Sequence, residues 1–146
     1  MATQSILPQI KMKTEAGLYQ QLKAAAQRSK TRNLILTRIE NSVGRGIPDL
    51  MICDERGAFH FVELKFCKAN AVNLSPHQVA WLTKHKHSSS WILIKQQSKA
   101  TSVPKLFLYH ARQAIDVKTD GLKTEAVFVC EKKFDWDSVF SLISPT

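Results

Sequence analysis

The residues that could do chemistry together are Asp49, in Gly46-Ile47-Pro48-Asp49, and, after thirteen intervening residues, Glu63-Leu64-Lys65. In a strand alternate side chains share a face, so Glu63 and Lys65 project the same way, together with Phe59 and Phe61. A three-residue turn at Glu55-Arg56-Gly57 makes Asp54 face Ala58, and the same register sets Asp49 directly opposite Glu63. Such cross-strand partners have Cβ atoms about 4.5–5.5 Å apart, close enough for two carboxylates to share one cation. A two-residue turn at Arg56-Gly57 would instead send one of them to the other face.

Two carboxylates side by side in a sheet repel unless a proton or a cation intervenes. Mg²⁺ answers that need, being hard, oxygen-seeking and content to keep several waters. A cation held this way polarises a phosphoryl oxygen and acidifies a bound water. Lys65 is placed to orient or deprotonate that water, or to stabilise charge building on phosphorus. The set suits phosphodiester hydrolysis. On spacing alone a plainer reading stands beside it: Glu63 and Lys65 as the wet face of an edge strand, and Asp49 as a turn acid after Pro48.

Glu15 lies three before Leu18 and seven before Leu22, on the edge of a helix face that packs toward the sheet, where it could add a third carboxylate. The helix dipole by itself also favours an acid there. Glu40 is a rival for that role. Gln78 has two readings as well: it closes a capping box with Ser75, and its side chain could reach back to the site. Trp81, Leu82 and His85 share its face and read as packing, while His85-Lys86-His87 reads as a solvated helix end rather than a zinc site. Gly44-Arg45-Gly46 is too short for a phosphate loop and lacks the Lys-Ser/Thr that follows one.

The elements that must hold these groups follow from periodicity. A helix runs from Thr14 to about Ser29, on the spacing of Leu18, Leu22, Ala25 and Ala26. Strands are expected at Leu34–Ile39, Asp49–Asp54, Phe59–Phe66, Trp91–Lys95, Leu106–Tyr109 and Ala126–Cys130. A second helix starts at Ser75-Pro76 and runs to about Lys86, and a third carries Trp136, Val139, Phe140 and Ile143 behind an Asp135 cap. The fold class is α/β, a mixed sheet flanked by helices. Residues 1–13 read as an N-terminal arm, 14–95 as the core with the motifs, and 96–146 as strands and a helix completing a single domain.

The 146 residues carry 21 Lys+Arg against 12 Asp+Glu, a net charge of +9, and are 44% hydrophobic, which excludes a disordered tail and favours a polyanionic partner. No apolar run approaches the roughly 20 residues needed to span a bilayer, so no membrane role is expected. Cys53, Cys67 and Cys130 are odd in number and widely spaced, which suits reduced thiols. With no secretory leader visible, a cytoplasmic setting is expected.

With these residues in view, the chain resembles the PD-(D/E)XK nuclease superfamily through Pro48-Asp49 and Glu63-Leu64-Lys65. More closely it is similar to the VRR-NUC branch, through Gly46-Ile47-Pro48-Asp49, Glu63-Leu64-Lys65 and Ser75-Pro76-His77-Gln78, over roughly residues 14 to 95. The resemblance implies a restriction-endonuclease-like α-β-α core. It implies Mg²⁺ or Mn²⁺ held by Asp49 and Glu63 with Glu15 and the Leu64 carbonyl, and Lys65 and Gln78 as further catalytic residues. It also implies a homodimer cutting DNA, branched forms such as Holliday junctions among its substrates, and leaving a 5′-phosphate. Phage and bacterial stand-alone members suggest a phage host's cytoplasm as one setting. Two other functions stay open. One is a sequence-specific restriction or homing endonuclease, for which Arg45, Asn70, Asn73 and Arg112 have no assignable base-reading role; the other is a non-catalytic nucleic-acid-binding module.

Overall fold

The computed structural model describes residues 15–39 and 45–146. The first helix, α1 (Glu15–Arg28), is followed by β1 (Ile35–Arg38), β2 (Leu50–Cys53) and β3 (Phe59–Cys67). Then come α2 (Pro76–Lys84), β4 (Ser90–Gln96), β5 (Lys105–His110), α3 (Ala114–Asp120) between two short 3₁₀ turns, β6 (Phe128–Glu131) and α4 (Trp136–Ile143). The six strands form one sheet in chain order. Every neighbouring pair is antiparallel except β3 and β4, which α2 connects as a parallel crossover.

Helices cover both faces, giving an α/β sandwich. On one face Leu18, Leu22 and Ala25 of α1 and Val139, Phe140 and Ile143 of α4 bury against Leu50, Ile52, Val62, Leu64, Leu93 and Leu108. On the other, Leu82 of α2 and Ala114 and Val117 of α3 bury against Cys67, Ile92, Ile94 and Tyr109. Alternation along β3 serves both cores: Val62 and Leu64 go to the first, while Phe61, Glu63 and Lys65 project on the side of the second.

The β2–β3 hairpin has the three-residue turn. Asp54 N–H donates to Ala58 C=O at 2.9 Å, Gly57 N–H donates back to Asp54 C=O at 2.9 Å, and Gly57 takes the left-handed φ of 82° that follows a type I turn in such loops. Asp54 Oδ1 accepts from the N–H groups of both Arg56 and Ala58 at 3.0 Å. The ladder therefore pairs Leu50 with Val62, Met51 with Phe61, Ile52 with His60 and Cys53 with Phe59, the register that sets Asp49 against Glu63.

The six strands fall where the pattern puts them, within one or two residues. Ser75 caps α2, with Pro76 in its first turn, but the helix stops at Lys84 instead of Lys86, because His85 leaves helical geometry while its ring Nδ1 stands 2.7 Å from Trp81 O. Asp135 caps α4 through Ser138 N–H at 3.1 Å. Helix α3 is an addition to the pattern read from sequence. It is seven residues long with only Ala114 and Val117 buried, too short to show a periodic stripe, and no side chain caps its start. The arm at 1–13, Thr14 and Glu40 lie outside the described residues. Among the described residues no helix is long and apolar enough to cross a membrane, and Cys53, Cys67 and Cys130 are free thiols.

Candidate metal centre

Three separate elements bring their acids to one point. Glu15 opens α1, Asp49 immediately precedes β2, and Glu63 sits in the middle of β3. One carboxylate oxygen from each lies within 4.8 Å of the others, the one such group of three metal-ligating side chains among the described residues. Asp49 is anchored twice: its C=O accepts Ile39 N–H at 2.8 Å, tying it to the end of β1, and its Oδ2 accepts Leu64 N–H at 3.0 Å across the hairpin. The backbone group by which Leu64 meets Asp49 is its N–H, while its side chain is buried in the first core.

The loop before Asp49 is held against α2 by Gly46. Its φ is 81°, and a Cβ at that position would overlap the His77 carbonyl. The glycine of the Gly-Ile-Pro-Asp run is therefore required twice, for its backbone angle and for the close approach to the first turn of α2. That turn carries Gln78, and both readings of this residue hold at once. Its Oε1 accepts Ser75 N–H at 2.9 Å, closing the capping box, while its Nε2 donates to Glu63 Oε2 at 3.1 Å.

Glu63 is 1% exposed and pays the electrostatic cost of the cluster. Burial first, then the neighbouring Asp49 charge and a hydrogen bond shared with it, push its carboxyl up to about 9, against a smaller opposing pull from Lys65. Glu15, whose residue surface stays open to solvent, is raised too, by burial of its carboxyl and by Asp49, with Lys65 and Arg38 opposing. Lys65 Nζ lies 3.9 Å from Glu63 Oε2 and is itself buried. Arg38, at the end of β1, is a cation of this neighbourhood that periodicity did not single out; its guanidinium stacks 4.5 Å from the centre of the Tyr19 ring. Its only sequence signal is its place as the last residue of a strand leading to the Asp49 loop.

The donors are three hard carboxylate oxygens, crowded enough that one keeps its proton well above the normal range. That chemistry fits a divalent cation of the Mg²⁺ or Mn²⁺ kind, which would replace the proton and relieve the repulsion. The other candidates fall elsewhere. Trp81 stacks on His85 at 3.8 Å and meets Phe61 edge-on at 5.6 Å, so both act as packing. Asn70 lends its C=O to Leu122 N–H, and Arg112 lies in the 3₁₀ turn after β5. No family model matches the chain, and neither any curated protein nor any solved structure does.

Proposed function

We propose that the protein is a metal-dependent endonuclease hydrolysing DNA phosphodiester bonds, with Glu15, Asp49 and Glu63 holding Mg²⁺ or Mn²⁺. The observation that carries this reading is the convergence of three carboxylates from three elements within 4.8 Å, with the Lys65 ammonium at its edge. The cation, when bound, would supply Lewis-acid polarisation of a phosphoryl oxygen and a more acidic water.

The chain's own groups would do the rest. Asp49 and Glu63, fixed by the hairpin ladder and by Leu64 N–H, hold their oxygens in place at little reorganisation cost. Gln78 Nε2 orients Glu63 Oε2, and its own amide is locked by Ser75, so it acts as a positioning residue. Lys65 projects from the same face two residues on, where its Nζ can hydrogen-bond an attacking water or the oxygens of the phosphoryl group. The net charge of +9 supports a polyanionic substrate. Branched DNA as the preferred form and a homodimer as the working unit rest on the resemblance to VRR-NUC nucleases. A pure binding module would gain nothing from three carboxylates beside phosphates, which favours the enzyme over the binder.

The test is cleavage of plasmid, single strands, duplexes, flaps and four-way junctions with Mg²⁺ or Mn²⁺, with and without EDTA. Asp49→Ala should abolish cutting, and Lys65→Ala should lower it by about 10²–10⁴-fold, the usual contribution of a positioned acid or base. Metal-dependent cutting that survives both substitutions would sink the site assignment, and no cutting of any form would leave the binding module in its place.

A further inference from the structure

Away from the acidic centre, a groove of about 430 Å³ runs between the second half of α1 and the connection from β6 to α4, lined by Gln21, Arg28, Lys132, Lys133, Phe134 and Trp136 among others. A second hollow of about 380 Å³ shares Arg28, Phe134 and Trp136 with it and continues to Lys30. Beneath Gln21 lies Lys95 of β4, 3% exposed, whose Nζ donates to Gln21 Oε1 at 3.2 Å. Burial, and the Lys132 charge after it, hold this ammonium below its ordinary pKa. Among the described residues no acid lines the larger hollow. Asp135 and Asp137 line the smaller one, and Asp135 is engaged with Ser138 N–H and Oγ at the cap of α4.

We propose that this groove is a phosphodiester-backbone site, which seats a nucleic-acid strand beside α1 at a distance from the acidic centre. Arg28, Lys132 and Lys133 line it together, and three like charges side by side attract an anion such as a phosphate. The wall between the two hollows is aromatic and rigid: Trp136 meets Phe134 edge-on at 6.0 Å and stacks on Phe140 at 6.0 Å. Cations along a groove with aromatic faces between them are what a strand needs, phosphates on the cations and bases or sugars on the rings. Two joined hollows also suit an extended polyanion better than a single phosphate ion.

The helix supplies the ruler. Gln21 and Arg28 follow Glu15 by six and thirteen residues, about 9 and 20 Å along the axis at 1.5 Å per residue. A strand held in the groove and reaching the acidic centre therefore spans about six base steps at 3.4 Å each. The proposal rests on the hydrolytic reading for its ligand class, but it is tested by binding alone.

Binding of labelled 20-nucleotide single strands and 20-base-pair duplexes is measured by fluorescence anisotropy in EDTA, from 50 to 300 mM salt, on the full chain. The triple substitution Arg28→Ala/Lys132→Ala/Lys133→Ala should weaken binding at least tenfold at 100 mM salt. It should also flatten the slope of log K against log salt by about two to three, near one per lost phosphate contact. The charge reversal Lys133→Glu, at an exposed position, should weaken binding on its own, and melting curves of both variants check the fold. Affinity and slope unchanged in both variants would overturn the proposal. Inorganic phosphate that stabilises wild type but not the triple variant, with DNA affinity unchanged, would overturn it in favour of a small-anion site. The two readings fail separately: binding that depends on the groove without any cleavage refutes hydrolysis alone, and cleavage with binding indifferent to the groove refutes the groove alone.

Discussion

Replacing Glu63 by Gln should make the metal-free protein more stable at neutral pH while removing the proposed cleavage. Below pH 4.5 the carboxyl is protonated in both the folded and the unfolded chain. Between pH 4.5 and about 9 the folded chain keeps the proton that the unfolded chain has released, so stability falls as pH rises through that window. At 1.36 kcal/mol per unit, the 2.5 units from 4.5 to pH 7 set an upper limit of about 3 kcal/mol on the cost carried by the wild type. A neutral amide of the same shape carries none of it. For a chain of this length that corresponds to a rise of up to roughly 10 °C in the melting midpoint at pH 7.

The assay is thermal melting in EDTA at half-unit steps from pH 5 to 8.5. The two proteins should melt close together at pH 5 and diverge as pH rises, the wild type falling and Glu63→Gln flat on this account. Adding Mg²⁺ should return stability to the wild type, about 1.4 kcal/mol at ten times its dissociation constant, and much less to the variant. Parallel pH profiles for the two proteins, or a variant that melts clearly lower at every pH, would refute the clustered-carboxylate account.

Gly46→Ala should cost about 1–3 kcal/mol through overlap with the His77 carbonyl, and should reduce cleavage more than stability explains, because the Asp49 loop must retreat from α2; melting and turnover at a temperature well below the transition separate the two effects. Gln78→Ala removes both amide bonds and should lose about 1 kcal/mol of capping while leaving the fold intact, with cleavage reduced when assayed at low temperature. Asp54 is held well below the usual carboxylate range by hydrogen bonds from His60 and Ser144, so its contribution is present above pH 3.8 and is lost as pH falls below that value. Asp54→Asn should lower the urea midpoint at neutral pH and remove this part of the acid-side decline.

Much of the sheet was legible because its strands are short, apolar and bounded by turn residues, and the Asp49–Glu63 pairing followed from a turn that contains a glycine at its third position. Gln78 was legible as a cap and as a side chain able to reach back toward Glu63, and it does both because an amide has an acceptor and a donor pointing apart. What escaped reading has physical reasons. Helix α3 is too short to be periodic, and Arg38 carries no motif, its place near the centre coming from the packing of the end of β1 on Tyr19 of α1. The groove draws Arg28 and Lys132 together from positions 104 residues apart, and only the packing of α1 beside the β6–α4 connection makes them neighbours.

The hairpin explains why a site built from distant acids can be stable enough to exist. A slip of one residue between β2 and β3 would turn Glu63 and Lys65 into the leucine-rich core and push Val62 and Leu64 out toward α2, so register and site stand or fall together. That register is locked at the end away from the acids. Asp54 Oδ2 lies 2.8 Å from His60 Nε2 and accepts Ser144 Oγ–H at 2.7 Å, His60 Nδ1 lies 2.6 Å from Ser89 Oγ, and Arg32 binds Ser144 Oγ and Glu55. One buried carboxylate with its hydrogen bonds met thus fixes the turn, and five residues away the ladder can hold Asp49 against Glu63 despite their repulsion. The two buried acids of the hairpin, Asp54 at its turn and Glu63 in the middle of β3, have opposite electrostatics for one reason: Asp54 is surrounded by donors, whereas Glu63 faces other acids and holds its proton.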